Sequence, residues 1–96
     1  MDDWPFADAP NAISVTVRQI VQDGEPILLV VHDAEDGDWQ FLTGGEFHVA
    51  DGMLVTLANM VRRDSSLTEL ADLPLGWQAC RASSAAPWQR SPCEAA

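Results

Sequence analysis

The apolar run Ile27 to Val31 is followed by the acidic turn Asp33-Ala34-Glu35-Asp36-Gly37 and then by Asp38-Trp39-Gln40-Phe41-Leu42-Thr43-Gly44-Gly45-Glu46. That succession specifies a hairpin. A short apolar run bounded by turn residues is a strand covered on at least one face, and alternation in the next segment puts Trp39 and Phe41 on one side. Two glycines then end the second strand beside the Glu46 carboxylate, since glycine accepts backbone angles that other residues resist. The stretch is architecture with a rim of carboxylates at the strand ends.

The preceding segment Ile13-Ser14-Val15-Thr16-Val17 alternates as a strand should, and the alternation fails after Arg18-Gln19, where Ile20 and Val21 fall out of phase. A bulge or twist is expected there. Asp23-Gly24-Glu25-Pro26 is turn chemistry, so three strands follow one another through short turns and predict an antiparallel meander. Residues 46–50 either extend the sheet or form a loop at its edge.

The period changes at Asp51. Met53, Leu54, Leu57, Ala58, Met60 and Val61 recur at helical spacing, with Thr56, Asn59 and Arg63 opposite, which predicts an amphipathic helix over 52–63. Asp51 is placed to cap it, and Arg62 and Arg63 fall in its last turn, where cations complement the helix dipole. Ser66-Leu67-Thr68-Glu69 has the capping-box pattern and predicts a second, short helix over 67–72, ended by Pro74 and Gly76. Residues 76–82 supply a last strand. The expected fold is therefore α+β: a small antiparallel sheet, made of a three-stranded meander and a later C-terminal strand, with one amphipathic and one short helix packed on one face. The single domain spans 1–96, with an ordered core over about 13–82 and loosely attached ends at 1–12 and 83–96. Trp4 and Phe6 are placed to pin the first of these ends.

The chain has 96 residues, 47% of them hydrophobic and 21% charged, enough for one folded core. Fifteen acidic residues against five basic ones, all arginine, give a formal charge of -10. A field of that sign repels phosphate backbones and anionic lipid, so nucleic acid and membrane are disfavoured as partners and a basic protein is favoured. The N-terminal residues show no secretory leader pattern and no apolar run reaches membrane-spanning length, so a cytoplasmic location is expected. Cys80 and Cys93 are too few for a disulfide framework and are expected as free thiols.

Chemistry-bearing patterns are weak. Aligning Gly37 with the obligatory glycine of an EF-hand loop puts His32 and Thr43 where carboxylates are needed, so Asp33, Glu35, Asp36 and Asp38 read better as a solvated turn. His32, His48, Cys80 and Cys93 lack the paired spacing of a zinc site, and Gly44-Gly45 is followed by an acid where a phosphate loop needs a base. No cofactor or metal is expected. Among the four tryptophans, Trp39 and Trp77 suit the core or its edge. Trp88 with Arg81 and Arg90 either clamps the C-terminal segment or belongs to a recognition surface.

The pattern Trp39-x-Phe41-x-x-Gly44-x-Glu46, then a helix, then Asp64-Ser65-Ser66-Leu67 and Pro74-x-Gly76, resembles a small bacterial family of unknown function classed with the immunity proteins of polymorphic toxin systems. The resemblance covers roughly residues 13–82. It implies a non-enzymatic domain that neutralises a toxin by binding it, and the acidity suits a basic toxin.

Three functional readings result. The first is a non-catalytic, acidic protein-binding module of the immunity type, with Asp33, Glu35, Asp36, Asp38, Glu46 and Trp88 as partner-binding residues. The second is a small enzyme or ligand-binding domain using a rim of His32, Asp33, Glu46 and His48. The third is a homodimer through an unpaired sheet edge.

Overall fold

A computed structural model describes residues 4–93; the outermost parts of the two ends expected to be loose, 1–3 and 94–96, lie outside the described residues. Six strands form one mixed sheet in the order β4-β1-β3-β2-β5-β6. They are β1 (Ile13–Val17), β2 (Leu29–His32), β3 (Trp39–Leu42), β4 (Gly52–Thr56), β5 (Trp77–Cys80) and β6 (Gln89–Pro92). The α+β class holds.

The sequence-based topology needs correction in five places. The predicted hairpin is present, with Val30 opposite Phe41 and His32 opposite Trp39. No meander is formed, because β1 does not pair with β2; β3 inserts between them and runs parallel to β1, with Val15 opposite Gln40. The loss of alternation after Val17 marks a one-turn helix, α1 (Arg18–Val21), rather than a bulge. The helix expected over 52–63 is half strand: Gly52–Thr56 pairs antiparallel with all of β1, and only Leu57–Arg63 is helical, as α2. Its cap is accordingly Thr56, whose Oγ1 accepts from the Asn59 N–H at 3.2 Å, and not Asp51. The second helix is a 3₁₀ segment, Ser65–Leu70, capped by Asp64 rather than by a Ser66–Glu69 box. Finally, β6 forms within the stretch expected to be loose and pairs with β5.

Cross-strand register assigns the two faces. Val55 and Met53, Ser14 and Thr16, Trp39 and Phe41, Val30 and His32, and Trp77 and Ala79 share one face. The helical segments cover this face, contributing Ile20, Leu57, Met60, Leu67 and Leu70 to a single core with Phe41, Val30 and Ala79. Phe6 joins from the N-terminal segment, edge-on to Trp39 at 5.3 Å, and the Trp4 indole donates to the Asp8 carbonyl at 2.6 Å. The buried hydroxyls on this face are paired: Thr16 Oγ1 donates to the Phe41 carbonyl at 2.8 Å and Ser14 Oγ to that of Val55 at 3.0 Å. These bonds tie β1 to both its neighbours where valines would leave only apolar contact.

Below the core, Arg81 holds the C-terminal segment in place. Its side chain is 2% exposed and donates to the Ile27 carbonyl at 3.0 Å, Ser66 Oγ at 3.0 Å and Asp64 Oδ2 at 2.6 Å. The Trp88 ring stacks on the guanidinium at 4.0 Å, and its indole N–H donates to the same Ser66 hydroxyl. Burial alone would raise the Asp64 carboxyl; hydrogen bonds from Ser66 and Arg81 outweigh it and hold the group below its ordinary value. Thus Asp64 and Ser66, part of the motif carrying the family resemblance, serve the fold. So does Gly76, whose φ of +79° favours glycine.

Candidate functional site

The face of the sheet opposite the helices carries six apolar residues by alternation and register, Ile13 and Val15 from β1, Leu29 and Val31 from β2, Leu42 from β3 and Leu54 from β4, with the polar Gln40 of β3 between Val15 and Val31. Ile13 is 55% and Leu54 71% exposed, and the other four are half-buried. Val17 shares the parity of this face but is buried at the lower end of β1. Toward the other edge the face continues through Gln78, Cys80, Gln89 and Ser91. No strand residue on it is charged, in a chain of which 21% is charged. Most antiparallel sheets with one open face place polar residues there, and the β4–β1–β3–β2 half of this face departs from that pattern.

Carboxylates occupy both ends of this face. Asp33, Glu35, Asp36 and Asp38 form the β2–β3 turn at one end. The turn is built by its own side chains: Asp33 Oδ1 accepts from the Glu35 N–H at 2.8 Å and Asp36 Oδ1 from the Asp38 N–H at 3.0 Å. Glu46 lies past the far end of β3, in the loop that Gly44 opens with a φ of +86°. Within that loop Phe47 and Val49 are 48% and 85% exposed. The five acidic residues read as partner-binding are thus divided between the two ends of the strands.

Trp88 lies apart from them, half-buried against Arg81 on the helix side of the sheet, and Arg90 pairs with Asp72 at 2.8 Å. The Trp88–Arg81–Arg90 group therefore clamps the C-terminal segment, the other role that its residue types suggested.

The His32, Asp33, Glu46, His48 rim is not assembled. His32 ends β2 beside the start of β3, stacked on Trp39 at 3.9 Å, with Nδ1 donating to the Leu73 carbonyl at 2.7 Å. His48 follows the far end of β3, 65% exposed and 3.8 Å from Glu46. Two grooves of the molecule lie elsewhere, and neither is lined by a histidine. Among the described residues, no three His, Cys, Asp or Glu side chains are grouped to hold a metal ion. Cys80 and Cys93 are unpaired, and Cys80 is exposed.

What the sequence did not reveal is the open face itself. Alternation within β1 and β3 was visible, but which alternate set meets the helices depends on the β1–β3 and β1–β4 pairings. Two adjacent arginines were also seen only as helix-end charges. No helix of the described residues is long and apolar enough to cross a membrane. No protein-family model, curated protein or solved structure matches this chain.

Proposed function

We propose that this chain is a non-catalytic protein-binding module that holds a basic protein, in the manner of an immunity protein neutralising a toxin. The observation that carries the reading is the uncharged, largely apolar sheet face set between acidic ends. Four strands at about 4.8 Å spacing and about four residues at roughly 3.3 Å each give a largely apolar patch of about 250 Å² around Gln40. A stable complex buries about 800 Å² per partner. The patch supplies about a third of that, and the β2–β3 turn at one end of it carries four carboxylates, with Glu46 past the other end. A partner that covers both must present apolar side chains fringed by lysine or arginine.

Complementary charge of this kind accelerates encounter and penalises wrong partners, whereas two copies of a chain with a charge of -10 meeting face to face would oppose their acidic ends. Affinity purification from the source organism tests the reading, using the parent chain and an Ile13→Arg/Glu35→Lys variant that leaves the core intact. A basic protein recovered with the parent and lost with the variant is expected. Recovery of the same proteins with both would refute it.

A further inference from the structure

The acidity of the chain is unevenly placed. β1 contacts α1 and β4, and β4 contacts α2; these four elements contain no Asp or Glu, yet they carry Arg18, Arg62 and Arg63. Arg18 is matched by Asp51 at 2.8 Å. Among the described residues, Arg62 and Arg63 have no carboxylate within ion-pair distance. Arg62 donates only to Asn59 Oδ1, and Arg63 makes two long bonds, of 3.3 and 3.5 Å, to the carbonyls of Ile20 and Val21. An arginine has five N–H donors, so most of theirs remain unused. Both line a groove of about 480 Å³ whose floor is Val21, Val55 and Met60. All six of its lining residues belong to the covered side of the sheet or to its helices, and Val55 of β4 is one of them.

β4 is an edge strand, Gly-Met-Leu-Val-Thr, with none of the charges or prolines that usually blunt an edge. Its free hydrogen-bonding groups follow from the ladder. The Leu57 N–H donates to the Ala12 carbonyl at 2.8 Å in the same register that pairs Val55 with Ser14 and Met53 with Thr16. Those alternate residues face β1, so the Leu54 N–H and C=O, the Thr56 N–H and the Gly52 C=O point away from the sheet. The Gly52 N–H is already used by the Val49 carbonyl.

We infer that the β4 edge and the groove beside it form a site for an acidic, extended peptide segment. The segment adds as a seventh strand, pairing with the free groups of Gly52, Leu54 and Thr56. Its residue opposite Leu54 lies on the open face, and its neighbours, opposite Met53 and Val55, project over the groove. Carboxylates at those two positions meet Arg62 and Arg63, which among the described residues are the arginines without carboxylate partners. Strand addition supplies affinity through the main chain and selects by alternate side chains. The site lies apart from the acidic ends, and its existence does not depend on the basic partner proposed above.

The test uses fluorescently labelled, blocked peptides of sequence Val-Glu-Leu-Glu-Val and Val-Lys-Leu-Lys-Val, titrated into the full chain by anisotropy. Amide exchange is followed in parallel. The Glu peptide is expected to bind, to protect the Leu54 and Thr56 amides, and to lose about fivefold in affinity with Arg62→Gln, as an exposed ion pair allows. Arg62→Glu should reverse the preference toward the Lys peptide. Leu54→Pro, which removes only an outward N–H that an edge strand can forgo, should weaken both peptides while the chain stays folded. Equal binding of the Glu and Lys peptides would overturn the proposal. So would inorganic phosphate reproducing the response with no protection at Leu54 and Thr56, or sedimentation showing the edge occupied by a second copy that Leu54→Pro releases.

Discussion

Replacing Arg81 tests the account of the fold at its most concentrated point. The side chain is 2% exposed and joins β5 to the Ile27 carbonyl, Ser66, the Ser84 carbonyl and Asp64, with Trp88 on its face. Removing one member of a buried ion pair costs about 3–5 kcal/mol, mostly because the partner is stranded. Asp64 is 23% exposed and can recruit water, which points to the lower end of that range. The Ile27 carbonyl, left without its donor, adds about 1 kcal/mol. Arg81→Ala should therefore destabilise by about 3–4 kcal/mol, and at roughly 4–8 °C per kcal/mol for a domain of this size the melting temperature should drop by roughly 12–30 °C. Arg81→Lys should cost about half as much, because one ammonium cannot reach partners spread around a planar fork. Urea unfolding followed by tryptophan fluorescence measures both, and a double-mutant cycle with Asp64→Asn isolates the pair. A cost below about 1 kcal/mol for Arg81→Ala, or strict additivity with Asp64→Asn, would refute the clamp.

Other parts of the structure make independent demands. The Trp39 indole N–H is buried with no hydrogen-bond partner; Trp39→Phe removes that donor along with some ring volume and should change stability by less than about 1 kcal/mol, whereas Trp39→Ala should cost about 3–5 kcal/mol. A cost above about 3 kcal/mol for Trp39→Phe would mean that the N–H is satisfied after all. Gly76→Ala, at φ +79° and with its new Cβ 3.4 Å from that of Ala34, should cost about 1–2 kcal/mol. Gly45→Ala, free of that backbone constraint, should lie within about 0.5 kcal/mol of the parent in the same unfolding assay. Asp51, Asp64 and Asp72 all titrate below their ordinary value of 3.8: Asp51 through hydrogen bonds from Gln19 and Arg18, Asp72 through one from Arg90, and Asp64 through those from Ser66 and Arg81 that outweigh its burial. The unfolded chain therefore binds more protons at these sites, so their contribution is complete above the ordinary value and is lost as the pH falls through the lower folded values. The urea midpoint of the parent should drop more steeply below pH 4 than that of an Asp51→Asn/Asp64→Asn/Asp72→Asn variant; parallel acid limbs would contradict this.

The hairpin was legible because its information is local: Ile27 to Val31, a turn whose aspartates cap their own amides, and an alternating Trp39 and Phe41. The β4–α2 segment was not, because Met53 and Leu54 are good helix formers standing one turn ahead of Leu57. Pairing with β1 over its whole length outweighs that preference, as tertiary context does for short apolar runs. The insertion of β3 between β1 and β2 leaves no mark within any one segment, since strand order comes from contacts distant in sequence. β6 was hidden by composition: Gln89-Arg90-Ser91-Pro92 has no strand signal, and its place follows from the Arg81–Trp88 stack and from β5 beside it. Of the candidate site, the acidic residues were visible and their division between two ends was not. The apolar face became visible only with the register.

Site-specific photo-crosslinking in the source organism tests the central claim most directly, with a benzophenone side chain at Ile13 on the open face and, separately, at Glu69 on the helix side. The Ile13 position should link to one basic polypeptide and the Glu69 position should not, and the link should weaken when Asp33, Glu35, Asp36 and Asp38 are made neutral. Equal yields from the two positions, or links from Ile13 to further copies of this chain alone, would contradict the claim that the uncharged sheet face docks a basic partner.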